Sequence, residues 1–475
     1  MRRFLSLLAV CALSLIPVVA SAADQWGPLA LPNPFMAPLG LASMHNDAES
    51  SNTEPLAGPG PRFVGVDGYS LLAACPTVVQ GHDELVLALC TAVLGEAPTV
   101  YLIDPRGLLP APVSLAKLKL TKGSLLGGVY AYLDNNDNMV VIDGSNHLFR
   151  IGHAKSGPLG GWKLTINQST DLSSVIASGD SSIGLVPDYQ GNVWFATANG
   201  VVGIAKTSGG ISSLQLPAGE QVANSISSSP SGRVAVATTF ALYELIADGA
   251  GNPQVLWRAA YDRGPARKPG QLSWGTGSTP VYFGPGSGAD YLTIVDNASP
   301  QVHALVFRSG TGQLVCEQPV LTQGGPGSEN GPIGIGRSVF VASTYGYPYP
   351  SVPANAPPAV PPTAPFVGGM TRVDVDDPGC HTVWDNQARS SAVPHLSTAD
   401  GYIYTFTRVG PAKTTPLDGF AYTVIDPDTG DIKAHQLLTG SIVNDTLQIS
   451  PLILMDGKLM QGNLTGIMRI YAFRL

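Results

Sequence analysis

Ser228-Ser229-Pro230-Ser231-Gly232-Arg233-Val234-Ala235-Val236 opens the stretch that decides the fold. Ala241-Leu242-Tyr243-Glu244-Leu245 follows, then the turn Asp248-Gly249-Ala250-Gly251-Asn252, then Gln254-Val255-Leu256-Trp257. Pro230 and Gly232 punctuate the first turn, and Asp248 with its glycines punctuates the second. The segments between them are short, apolar and β-branched, which predicts strands. Two consecutive hairpins predict a four-stranded antiparallel sheet. Such a sheet leaves faces and edges uncovered unless copies of it stack around an axis.

The same unit recurs. Leu185-Val186-Pro187 precedes Gly191-Asn192-Val193-Trp194-Phe195, and Ser278-Thr279-Pro280 precedes Tyr291-Leu292-Thr293-Ile294-Val295. Asn330-Gly331-Pro332, Val393-Pro394-His395 and Ile449-Ser450-Pro451 begin further copies. Their spacing is about 40 to 60 residues, within the range of propeller blades with insertions. Repeats begin near Gly127, Ser182, Ser225, Thr276, Glu329, Ala392 and Asp445, and residues 52–120 supply one more, with Thr99–Ile103 as a strand. The reading is an all-β propeller of eight four-stranded blades; the short last repeat leaves seven open. That repeat lacks residues for four strands, so the segment 23–51 is assigned to closing the ring, with 52–475 as one propeller domain. Trp162, Trp257 and Trp384 each fall on the last strand of a repeat, where an indole suits packing between blades. Eight prolines between Tyr345 and Phe366 cannot join a ladder and mark a protruding loop within one blade.

Composition agrees. The 475 residues include 55 Gly and 40 Pro and only 13% charged side chains, which disfavours long helices and suits short strands and turns. The formal net charge of −8 argues against nucleic acid or an anionic membrane as partner. Arg2 and Arg3, the apolar run Phe4–Val19 and Ala20-Ser21-Ala22 read as a signal peptide over 1–22, cleaved before Ala23. No later stretch is apolar enough for a membrane span. Export to the periplasm or outside permits disulfides, and proximity pairs Cys75 with Cys90 and Cys316 with Cys380.

The turn Asp426-Pro427-Asp428-Thr429-Gly430 is similar to the Asp-x-x-Thr-Gly turn of the quinoprotein-like and YVTN-type propeller superfamily. The chain also resembles uncharacterised exported bacterial propellers over roughly residues 52–475. The resemblance implies the fold and leaves function open, because one fold hosts many chemistries. The quinone dehydrogenases of that superfamily carry adjacent cysteines against the cofactor and a tryptophan after the turn. This chain has neither, which tells against a quinone cofactor.

In a propeller, the residues just before each innermost strand converge on one mouth of the central channel. Here these are Asn52, Glu54, Asn224, Thr279, Glu329, Asn330, His395, Asn444 and Asp445. Their oxygen-rich set suits Ca²⁺, with Glu54, Glu329 and Asp445 as metal ligands. Turn formation is the plainer reading of the same residue types. Asp134-Asn135-Asn136-Asp137-Asn138 lacks the glycine and distant glutamate of a calcium loop and reads as a turn, as does His82-Asp83-Glu84 after Gly81. The leading functional expectation is an exported propeller that binds a small molecule or a protein partner at the channel face. The rival is an enzyme using that same site, a metal-assisted hydrolase or lactonase, or an oxidoreductase.

Overall fold

The computed structural model describes residues 26–91, 97–107, 113–123, 129–157, 160–376 and 379–473. The expected leader with its cleavage point before Ala23, the repeat start at Gly127 and the turn residues Asp377 and Pro378 lie outside them. The described residues form thirty-three strands and a short 3-10 turn, Ile442–Asn444. The strands make eight sheets, seven of four strands and one of five. Each sheet is one blade of an eight-bladed propeller, and the blades are numbered 1 to 8 in chain order.

The innermost strands are Ala74–Gln80, Ala131–Leu133, Ser182–Pro187, Ser227–Ser228, Val281–Phe283, Ile333–Ile335, His395–Ser397 and Pro451–Ile453. They pack side by side around the axis. The second strands are mostly apolar and buried on both faces, and Val193–Thr197 and Tyr291–Val295 are buried throughout, because each lies between neighbouring blades. The outermost strands alternate; in Pro253–Ala260 exposed side chains alternate with ones that are buried or half-buried. Aspartates begin many hairpin turns by accepting backbone N–H groups two and four residues on. Asp188 takes Gln190 and Asn192, and Asp134 takes Asn136 and Asn138. The Asn-rich segment 134–138 is therefore a hairpin turn of blade 2.

Trp162, Trp257 and Trp384 all lie on outermost strands. Two of them meet a turn glycine of the next blade. Gly312 sits over Trp257 and Gly430 over Trp384, both at positive φ, and a Cβ on either would fall 2.5 Å and 2.7 Å from the indole. Trp384 also donates its Nε1–H to Pro427 O at 2.8 Å. The Asp-x-x-Thr-Gly turn of blade 7 is thus shaped to dock on the tryptophan of blade 6. The expected disulfide pairing is present. Cys75–Cys90 joins adjacent strands of blade 1, and Cys316–Cys380 joins the outermost strands of blades 5 and 6.

The ring is closed by Val64–Ser70, which runs antiparallel to the last strand, Gly466–Ala472, and forms the outer edge of blade 8. This corrects the assignment of closure to residues 23–51. The reason is compositional: Val64–Ser70 carries no proline and can pair along its whole length, whereas residues 26–51 carry Pro28, Pro32, Pro34 and Pro38 among turn formers. Those residues do something else. Residues 26–37 cross the face that carries the turns between first and second strands, passing Gly336, Gly288 and Gly191 in turn. Residues 38–54 then fill the central channel.

Candidate functional site

The hub segment is tied to every blade. Leu41 O and Ala42 O accept the N–H groups of Gln80 and Leu133, and Ala48 O, Glu49 O, Ser51 O and Asn52 O accept those of Ser228, Tyr282, Gly334 and Leu396, at 2.7–3.1 Å. Asn33 reaches Pro187 O of blade 3 at 3.0 Å, and Glu54 Oε2 takes the Ile453 N–H of blade 8 at 2.8 Å. Thr53–Glu54 adds a parallel fifth strand to blade 7. An inner strand has a free ladder edge, and residues 38–54, with Asn33 on blade 3, bond to a backbone group on each of the eight. It steps from blade to blade through kinks at Asn46, Ser50 and Asn52, whose φ values are 75°, 57° and 54°.

Four of the predicted site residues meet in this hub. His45 bridges them: its Nδ1 faces Asn52 Oδ1 at 2.9 Å and its Nε2 faces Thr279 Oγ1 at 3.2 Å. Glu54 Oε1 lies 3.2 Å from His395 Nδ1 and accepts the Asn46 side-chain amide. All are buried. Burial lowers the His45 pKa to about 4 against the pull of Asn52. Burial also holds His395 well below, and Glu54 well above, their ordinary values. Burial thus disfavours the charged form of both partners in the His395–Glu54 contact. Glu54 is already engaged by Asn46, His395 and the Ile453 N–H, which leaves it little capacity for a cation.

The other predicted residues line the opposite mouth. Asn224 accepts the Tyr130 hydroxyl at 2.6 Å, and Asn330 donates to Gln448 at 2.9 Å. Asp445 accepts the Tyr347 hydroxyl and sits 3.1 Å from Arg408. Asn444 turns aside to Thr439 O. Glu329 is buried, and neither carboxylate oxygen has a partner of good hydrogen-bond geometry. Burial raises its pKa to about 8; the nearby Leu272 amide, Arg267 charge and Asn224 side chain offset this only in part. Glu54 thus lies in the hub, whereas Glu329 and Asp445 both lie near the buried Tyr349 and add to the upward shift that burial gives its hydroxyl. Among the described residues, the grouping close enough to share an ion is Asp296, His303 and Glu317 in blade 5, which includes none of the three.

This mouth is roofed. The proline-rich loop lies between Ser338–Ala342 and Met370–Asp376 of blade 6, and it folds back across the face instead of projecting from it. Val360 N–H and Gly346 N–H donate to Arg267 O and Pro269 O of the connection between blades 4 and 5, at 2.8 and 2.9 Å. Phe366 N–H donates to Ala412 O of blade 7, and Tyr347 reaches Asp445. The loop has few backbone hydrogen bonds of its own, such as Ala356 N–H to Pro353 O, so this docking is what fixes its course.

Between the roof and blades 3 and 4 lies a cleft of about 750 Å³. Ser351–Pro357 of the loop form one wall. Ile183, Val222 and Ala223 form the floor, and Phe240, Leu272, Ser273 and Trp274 the far side. Arg263 is the only charged residue in this lining. Its guanidinium is held between the rings of Phe240 and Trp274, 3.8 and 3.7 Å from their centroids. The sequence reading missed these residues. The available signal was Trp274, an indole in a loop and not on a last strand, beside the cationic run Arg263, Arg267 and Lys268.

No family model matches the chain. A curated relative, an uncharacterized protein of Archaeoglobus fulgidus, is 31% identical over 137 residues, or 28% of this chain and 26% of the relative. Among solved structures, the quinohemoprotein alcohol dehydrogenase ADHIIG of Pseudomonas putida HK5 is similar at a TM-score of 0.54 and 11% identity. That match covers 94% of this chain and 80% of the enzyme. The chain has a quinoprotein-like propeller fold. BamB from Moraxella catarrhalis is also similar, at a TM-score of 0.43 and 12% identity over 85% of this chain and 98% of BamB. At these identities the likeness is one of fold alone. Among its described residues this quinoprotein-like propeller has no helix long and apolar enough to cross a membrane.

Proposed function

We propose that this protein is an exported binding protein that takes a small molecule in the roofed cleft over blades 3 and 4. The observation that carries the reading is the cleft itself. Its volume of about 750 Å³ falls within the usual range of small-molecule sites, and its walls come from six separated chain segments. Two buried polar atoms of its lining, Arg263 Nε and Ser273 Oγ, have no hydrogen-bond partner. Unpaired buried polar groups are costly, and a ligand in the cleft would supply partners for both. The expected site is the channel face; residues 38–54 fill the channel itself, which favours a site at the roofed mouth of that face. Binding is favoured over hydrolysis because, among the described residues, the cleft lining holds no carboxylate or histidine to serve as a base. The apolar leader Phe4–Val19 and the two disulfides support export.

The test is a thermal-shift screen of a metabolite library against the wild type and against Ala223→Trp and Ala354→Trp, which place indoles in the cleft. Compounds that raise the Tm of the wild type and of neither variant are expected. Shifts of equal size in all three folded proteins, or none in the wild type, would reject the cleft as the binding site.

A further inference from the structure

We infer that the cleft selects a monoanion: a small carboxylic acid with an apolar body, its carboxylate held in the plane of the Arg263 guanidinium. This rests on the cleft being the binding site. The arrangement of cations around it singles out Arg263. Arg150, Arg258, Arg372, Arg408 and Arg469 each face an aspartate or glutamate. On Arg263's own loop, Arg267 donates to Gln271 O and Pro357 O, and Lys268 to Ala298 O and Pro326 O. Arg263 has no such complement. Its one hydrogen bond, to Trp274 O, is long at 3.5 Å, and its Nε is buried without a partner.

Burial lowers the Arg263 pKa, and the Tyr261 hydroxyl is the group that acts against that shift. An arginine does not give up its proton in a protein, so the charge stays and lacks a counter-ion. Both faces of the guanidinium are covered by Phe240 and Trp274, so its N–H donors point only in its own plane. A carboxylate is planar and meets such a fork with two parallel hydrogen bonds. The lining carries a single charge, which matches a monoanion; a phosphate dianion would leave one charge unbalanced. Ile183, Val222, Leu272 and Val352 supply apolar walls for the rest of the molecule, and Ser273 Oγ supplies a second polar contact.

Calorimetric titration of benzoate, indole-3-acetate and octanoate against the matched primary amides tests this. The proteins are the wild type, Arg263→Met, Arg263→Lys and Ala223→Trp. Met keeps an apolar stem between the two rings. The expected result is that at least one acid binds the wild type about ten- to a hundredfold more tightly than its amide, the usual advantage of charge-assisted over neutral hydrogen bonds. Arg263→Met should remove that preference and leave amide binding unchanged, Arg263→Lys should keep part of it, and Ala223→Trp should abolish both. Equal binding of acid and amide to the wild type, blocked by Ala223→Trp, overturns the anion inference and leaves the cleft reading intact. Acid binding that survives Ala223→Trp overturns both. No binding of any acid to the wild type also counts against the inference.

Discussion

Glu329→Gln is expected to stabilise the protein, and to do so only above a certain pH. The Glu329 carboxyl is buried and unpartnered, with a pKa of about 8 against 4.5 for the unconstrained group. A carboxyl raised on folding binds a proton in the native state that the unfolded chain lacks between those two values. Stability therefore falls as pH rises through that window, by about 1.4 kcal/mol per pH unit. The deficit is nil near pH 4, roughly 3 kcal/mol at pH 7 and roughly 5 kcal/mol above pH 8. Glutamine has the shape of the protonated acid and no proton to bind. The Tm difference between variant and wild type should thus be near zero at pH 4, grow through neutrality and level off beyond pH 8. Differential scanning calorimetry in buffers of matched ionic strength reads it. A difference independent of pH, or a wild type more stable than the variant at pH 7, would show that Glu329 is ionised and paired in the folded protein.

The remaining expectations concern the joints between blades. Replacing Cys316 and Cys380 by serine opens a loop of 64 residues and should cost about 4 kcal/mol, more than the roughly 3 kcal/mol for Cys75 and Cys90 with a separation of 15. Urea melts of the two double variants give the order, and a reversed order would refute the chain-entropy reading. Gly430→Ala should cost more than Gly401→Ala. Both glycines have positive φ, but only the first has an indole in the way, so the excess of roughly 1–2 kcal/mol reports the Trp384 contact. Equal losses in thermal melts would mean that the turn yields without disturbing the indole.

The blades were legible because each is a local matter. Pro187, Asp188 and Gly191 announce a turn, Val193-Trp194-Phe195 announces a buried strand, and both signals lie within a dozen residues. Eight repeats follow from counting such units. The hub was illegible for the opposite reason. Residues 38–54 have neither period two nor period 3.6, and what orders them is a set of N–H groups offered by strands up to 400 residues away, such as Ile453 to Glu54. The convergence of Asn52, Glu54, Thr279 and His395 was foreseeable from topology. That their common neighbour would be His45 of the same chain, and not a ligand, was not. The cleft escaped notice because its lining is shared between Ser351–Pro357 and Arg263–Trp274, two loops whose pairing no periodicity records.

The strand that closes the ring is made early, and its partner is made last. During synthesis the amino end emerges first, so residues 38–54 exist before any blade that will hold them, and Val64–Ser70 waits for Gly466–Ala472. Contacts of such long separation make folding slow, and they place its completion after release of the whole chain. The hub accordingly takes its shape only as the blades arrive, and a chain that stops short of residue 466 leaves its first edge strand unpaired and open to another molecule.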